Sequence, residues 1–587
     1  MANHGSYWDR FTARRMSRRR ALQMAALTGA SAGAIALVGC GGDGDDEPST
    51  GGSPTGGDEG TPRPGGTLHA TVGLVLGKDP MKASTFLTHA LASYSYSRLL
   101  RYKTVLGELP QADWYTTNFE VAQSLENPDP LTYVFTLRPD VRFHNVSPVN
   151  GRQLVAEDVV YSFNRYREIS PNKANLAMVA SVTADSDTQV TFKLNEPFGL
   201  FLNRIASFQD LWIMPREFIE ESDTASEDRM LGSGPFIFER FEPNVVMSWR
   251  KNPDYFEKDA AGVQLPYLDA VNLAAISDQN QLLSQFAAGT LDTISVPPPL
   301  LESVRSQSPD AIIDAAPRNV LSFLYFEPAS YLENKLPFAD ERVRQGMSHA
   351  LNRDALLNRV STEGGEWPNM PINAGFGESW WLDPKGSEIG DAGQYYEYDP
   401  QKARDLFSAA GVADFSTTMH FESTLYVTVV PYYPVVRESL PALLQEVGVS
   451  VQEVPEEYGV YISKTFGRGE FQGFTFGLES VFTDIGLYWA NMFYPRDAGG
   501  GRNHSSVSDA TLQQRIKDML ALQDVDEIRE ANFELQRYVS EKMYYVPVVT
   551  PVEFAARTPR LKGVVNDSGP TTYAVGTEAA LTNWFST

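Results

Sequence analysis

Apolar and polar positions alternate most cleanly from Leu131 to Leu137, where Leu131, Tyr133, Phe135 and Leu137 alternate with Thr132, Val134 and Thr136. That period of two buries one face of a strand and leaves the other more polar. Pro139-Asp140 turns the chain, Val141-Arg142-Phe143 alternates again, and Asn150-Gly151 marks a loop. A helix is predicted from Ala156, with Glu157 and Asp158 at the positive end of its dipole and Val159, Val160 and Phe163 as its apolar stripe. The same patterning predicts strands from Gly66 and over Asp185–Asn195, Asn319–Phe326 and Val546–Val549. It predicts helices over Phe86–Leu100, Phe198–Phe208, Pro434–Val447 and Asp509–Leu522. Asp340 caps a helix with the stripe Val343, Met347, Ala350 and Leu351, and Asn352-Arg353-Asp354 restarts another. A helix after Tyr398 is closed by Gly411.

The N-terminus has a different character. Ser17-Arg18-Arg19-Arg20-Ala21-Leu22-Gln23 resembles the twin-arginine export motif. Ala21–Gly39 is only mildly apolar, too weak for a permanent membrane span. Leu37-Val38-Gly39-Cys40 resembles a lipobox, in which the cysteine is lipid-modified and becomes the first mature residue. Residues 1–39 are therefore expected to be a signal peptide, with membrane contact through a lipid anchor on Cys40 only. Residues 40–65 are rich in Gly, Asp and Pro and predict a flexible tether. Its Asp43, Asp45, Asp46 and Glu47 lack the spacing of a calcium loop.

Composition narrows the class. A chain of 587 residues with 42% hydrophobic residues, 26 Tyr, 32 Phe and 9 Trp has ample core material for several lobes. The formal net charge is −25, and the first 39 residues contribute a net +5 through six Arg and one Asp. A chain starting at residue 40 would carry about −30, which disfavours nucleic acid as a partner. Cys40 is the one cysteine, so an internal disulfide and a cysteine-held metal site are excluded. The seven histidines are scattered without a paired metal spacing, and no metal or cofactor is expected. Gly232-Ser233-Gly234 is not a phosphate loop, because no Lys-Ser/Thr follows. The one Gly-x-Ser-x-Gly match, Gly29-Ala30-Ser31-Ala32-Gly33, falls in the N-terminal segment and not in the folded body, so a non-enzyme is expected; the carboxylates Asp484 and Glu479 leave a glycoside-acting enzyme as a weaker alternative.

The stretch Thr132-Tyr133-x-Phe135-x-Leu137-Arg138-Pro139-x-Val141-x-Phe143-His144, followed by Ala156-Glu157-Asp158-Val159-Val160-Tyr161-Ser162-Phe163, resembles the bacterial extracellular solute-binding proteins of family 5. Gly232-Ser233-Gly234-Pro235-Phe236, Arg250-Lys251-Asn252-Pro253-Asp254-Tyr255-Phe256 and the run from Pro337 to Leu356 resemble further elements of that family, so the likeness spans roughly residues 65–560. One departure is Val155, where the family usually has a capping Thr; such a loss costs about 1 kcal/mol. The resemblance implies a periplasmic-binding-protein-like class II α/β fold with three lobes and a hinged ligand cleft. Lobe I would comprise 66–100, 228–316 and 550–587, inserted lobe II 101–227, and lobe III 317–549. It also implies a monomeric, extracytoplasmic receptor that captures a peptide-like or other small organic solute and hands it to an ABC permease. A non-transporting envelope sensor is the alternative.

The resemblance also points to a site. Peptide receptors of the family carry a Trp-x-x-Asp-x-x-Asp-Pro pattern whose first Asp pairs with the peptide α-ammonium. Alignment on Phe493 puts Asp484 at the second Asp, Val481 at the first and Leu478 at the Trp. The usual ammonium-binding carboxylate is thus missing, and Glu479 is the nearby substitute. Tyr94, Phe323, Tyr325, Trp380 and Trp489, with Tyr96, Trp381 and Tyr488 beside them, are the aromatic candidates for the cleft wall.

Overall fold

Four principal sheets carry the fold in the computed structural model. It describes residues 61–587 apart from 74, 76, 84, 104–112, 223, 318–319, 362–364, 369–379, 431, 481–484, 497–499, 565–580 and 587. Cys40, the signal segment, most of the tether and Asp484 therefore lie outside the described residues.

The first sheet orders its strands Thr67–Thr71, Ala270–Ala274, Val246–Lys251 and Phe236–Glu242. The outer pair Thr67–Thr71 and Ala270–Ala274 is parallel and the rest antiparallel. Leu68, Val271, Met247, Trp249 and Phe236 are buried in this lobe.

The second sheet is antiparallel throughout, in the order Ala122–Asp129, Thr132–Leu137, Gln189–Leu194, Val179–Ser186. The expected strand at 131–137 begins at Thr132, and Leu131 is left 36% exposed. The segment read as one strand over Asp185–Asn195 is instead the turn and second arm of a hairpin. Helix Ala156–Ile169 covers this sheet. Rings of Phe135, Phe163 and Phe201 meet Phe192 edge-on or tilted, with centroids 5.6–6.0 Å apart. Val155 offers no cap, but the Asp158 carboxylate accepts from the Val155 N–H at 2.9 Å and is braced by Arg152 at 2.7 Å.

The third sheet runs Val449–Glu456, Phe415–Glu422, Phe474–Ser480, Val320–Phe326, Tyr545–Pro547. Helices Glu341–His349, Arg353–Val360, Pro400–Ala409 and Tyr433–Glu446 bury one face of it around Leu324, Phe326, Phe474, Phe476, Leu478 and Val546. The expected Asp340 cap is present, accepting from Arg342 N; the next two helices are capped likewise, Asn352 accepting from Ala355 N and Asp399 from Lys402 N.

The fourth sheet places Thr550–Arg557 between Thr293–Val296 and Ile312–Pro317. The chain therefore leaves the third sheet at Pro547 and at once pairs with strands formed some 250 residues earlier. Asp292 ties this region to the first strand by accepting from His69 N at 2.8 Å, and it pairs with Arg560 at 2.6 Å. Residues 62–587 form one compact unit. Among the described residues, no helix is long and apolar enough to cross a membrane.

Candidate functional site

Strand alternation builds the site on the face of the third sheet opposite the helices. Val320–Phe326 lies antiparallel between Phe474–Ser480 and Tyr545–Pro547, with Leu321 opposite Glu479, Phe323 opposite Gly477 and Tyr325 opposite both Thr475 and Tyr545. Because successive side chains point to opposite faces, Phe323, Tyr325, Tyr545, Thr475 and Glu479 share one surface. Against it lie a π-helical turn, Tyr461–Phe466, the helix Ile485–Phe493 and the segment that follows it.

Glu479 is the charge at the centre of this face and is only 5% exposed. Its Oε1 is paired with Arg502, and its Oε2 lies 2.9 Å from His504 Nε2. His504 Nδ1 lies 2.9 Å from the Phe466 carbonyl, so both ring nitrogens face acceptors. The imidazole stacks on Phe466 at 4.0 Å and meets Tyr325 edge-on at 5.2 Å. Arg496 fixes the same loop by donating to the Asn503, His504 and Phe466 carbonyls at 3.0–3.3 Å. Tyr545 OH is within reach of the Met492 carbonyl and Asn503 Oδ1. Burial, reinforced by the Glu479 charge, holds the phenols of Tyr325 and Tyr488 well above their ordinary value, so both stay protonated.

The candidates read from sequence divide into groups. Glu479, Phe323 and Tyr325 come together, and Tyr488 is within electrostatic reach of Glu479. Trp489 is linked to the cluster through Phe493 (5.5 Å), which stacks on Tyr545 (5.5 Å). Its indole N–H donates to Asn532 at 2.9 Å, and Asn532 donates to the Trp380 carbonyl at 2.8 Å. Trp380 is thus bound to helix Val525–Lys542, with the Arg529 guanidinium 4.8 Å above its ring. Tyr94 packs between Phe236 and Trp249 in the first sheet's core. Sequence reading missed Arg502, His504, Phe466 and Tyr545. The polar Arg502-Asn503-His504 run after glycines 499–501 was the one signal available for two of them.

A separate open cleft of about 540 Å³ lies between the first and second sheets' segments, lined by Arg101, Asn118, Phe119, Arg138, Asp140, Phe256, Glu257 and Lys258. It shares no residue with the Glu479 face. Its charges are largely paired, Arg101 with Glu257 through two contacts of 2.6 and 2.8 Å and Arg138 with Asp140 at 3.2 Å. Among the described residues, no cluster of three or more His, Cys, Asp and Glu could hold a metal ion.

Separate sheets threaded by a chain whose end rejoins its start, with a carboxylate set among aromatics on one of them, define a multi-lobed α/β binding protein of periplasmic class II. The solved structure of a periplasmic binding protein DppA from Helicobacter pylori, in complex with the peptide STSA, has this fold, with a TM-score of 0.71 and 21% identity over 89% of this chain and 99% of that one. Residues 118–500 match the model of the bacterial extracellular solute-binding proteins, family 5 (middle region), and the chain belongs to that family. A di/tripeptide-binding protein of Pseudomonas aeruginosa is 25% identical over 451 residues, 72% of this chain and 78% of its own length. A haem-binding protein of Haemophilus influenzae is 23% identical over 510 residues, 81% of this chain and 85% of its own.

Proposed function

We propose that this protein is the substrate-binding component of an ABC importer. It is exported by the twin-arginine route, anchored outside the membrane through lipid on Cys40, and acts as a monomer. It captures a peptide-like or other small organic solute between lobes bounded as in the sequence reading and delivers it to a permease. The ligand contacts centre on the Glu479 face, with Phe323 and Tyr325 as its wall and Asp484, Trp489, Trp380 and Tyr94 as outer candidates. The family match over residues 118–500 carries this reading. The relatives named above, for di/tripeptides and for haem, support an organic solute and leave its identity open.

The test is uptake of a labelled peptide pool by host cells lacking the gene, complemented with the wild-type chain or with Cys40→Ser. Lost uptake restored by the wild type supports the receptor, and release of the C40S protein from the membrane fraction supports the anchor. Uptake of peptides and other organic solutes unchanged by the deletion refutes the transport role.

A further inference from the structure

The carboxylate at the heart of the site is already neutralised from within. Glu479 faces two basic side chains, Arg502 on one oxygen and His504 on the other. An incoming amine would have to displace one of them and strand a basic group in a largely dry site. Of the three, the guanidinium keeps contact with solvent: the Arg502 side chain is 21% exposed, against 7% for Glu479 and for His504. Beside the trio, the Tyr325 hydroxyl is fully buried and has no hydrogen-bond partner. A buried hydroxyl left unpaired is destabilising, and an acceptor on a bound ligand would remove that cost. The Tyr325 ring meets that of His504 edge-on at 5.2 Å, which places this hydroxyl's ring against the trio.

Building on the solute-binding reading above, we infer that the ligand meets this face with an anionic group, a carboxylate, held by Arg502 and Tyr325. Glu479 and His504 are positioning residues that aim and hold the guanidinium. Guanidinium and carboxylate are matched in shape as well as charge, since two parallel N–H···O bonds form in one plane. The solutes selected are N-blocked peptides and other carboxylate-bearing molecules with no free amine at that end.

The test uses the purified full chain and three probes: a tryptic casein digest, the same digest N-acetylated, and the acetylated digest with its carboxyl groups methyl-esterified. Thermal unfolding reads binding as a rise in midpoint. Acetylation is expected to leave the rise intact or larger. Esterification is expected to demand at least tenfold more probe for the same rise. Tyr325→Phe removes only the unpartnered hydroxyl, so its unliganded midpoint stays at or above the wild type's while its response to the acetylated digest weakens about fivefold, the equivalent of one hydrogen bond. A response that vanishes on acetylation and survives esterification overturns the inference and leaves the peptide-receptor reading standing. No response to any of the three digests also overturns the inference, while the solute-binding reading stands or falls on the uptake experiment.

Discussion

His144 is locked onto Gly234: its Nε2–H donates to the Gly234 carbonyl at 3.0 Å, while Nδ1 accepts from the Gly232 N–H at 3.4 Å. The backbone adds a third tie, His144 N to the Gly232 carbonyl at 2.7 Å. His144 follows the second sheet's Thr132–Leu137 strand, and Gly234 leads into the first sheet's Phe236–Glu242, so one imidazole joins the two. A side chain at 234 could not fit, since a Cβ there would lie 2.6 Å from the Ser95 carbonyl carbon.

The clamp needs a neutral ring, because only then does Nδ1 accept. Burial holds His144 down to about 4, below the ordinary value of 6.5. Between those values the unfolded chain binds the extra proton and the folded chain does not. The stability contributed is complete above pH 6.5 and is lost as the pH falls toward 4. From pH 7.5 to pH 5 the expected loss is about 2 kcal/mol for this residue, with buried His89 adding in the same direction. Urea unfolding at both pH values checks this: His144→Gln should be less stable at pH 7.5 and lose about 2 kcal/mol less on acidification. Parallel pH slopes would remove His144 as the source.

Arg353 is the second clamp. It is fully buried at the start of its helix and donates to the Pro547 carbonyl at 2.7 and 3.0 Å, the Tyr396 carbonyl at 2.7 Å and Ser348 Oγ at 2.8 Å. Burial lowers it to about 10, so it remains a cation at neutral pH and needs these acceptors. Arg353→Met keeps the apolar stem and removes the donors. The expected cost is about 3 kcal/mol, since buried carbonyls lose their partner, read as a lower urea midpoint with an unchanged slope.

How much was legible follows from where each signal resides. The Thr132–Leu137 strand, the Ala156 helix and the Asp340, Asn352 and Asp399 caps are local patterns, and the structure has them. Helix Val525–Lys542 went unread because its inner stripe, Ile528, Asn532, Leu535, Gln536 and Val539, contains two amides. Their burial is met by distant partners: Asn532 and Gln536 donate to the Trp380 carbonyl at 2.8 and 2.9 Å and accept from Trp489 Nε1 and Leu382 N at 2.9 and 3.0 Å. The site shows the same limit. Glu479 was found by its nearness to a motif position that lacks its carboxylate, but Arg502 and His504 come from a loop with no periodicity, whose polar run after the glycines does not reveal which charge it faces.

Val155 offers a gain. It holds an extended N-cap conformation, φ −125° and ψ 166°, and already receives half of a capping box, from Asp158 to its N–H. Val155→Thr supplies the missing half, a side-chain oxygen for the Asp158 N–H, which now donates to the Val155 carbonyl at 2.9 Å, without changing the backbone. A stabilisation of about 1 kcal/mol is expected, read as a higher urea midpoint. No gain would mean that the Thr rotamer is blocked at this partly buried position.

Gly477 shows how tightly the site face is packed. A Cβ there would lie within 2.5 Å of Phe466 Cε2 and 2.9 Å of the Tyr461 hydroxyl. The glycine is what lets the π-helical turn lie flat on the strand, and Phe466 in turn carries the stacked ring of His504. Gly477→Ala should therefore destabilise by about 1–3 kcal/mol through overpacking. Phe466→Leu shortens the obstructing ring, so the alanine should cost less in that background than in the wild type. A double-mutant cycle measures this coupling, and it should depart from additivity by at least about 0.5 kcal/mol. If the two changes add, the Phe466 ring is not what excludes a side chain at 477, and the fixed position of His504 beside Glu479 would need another support.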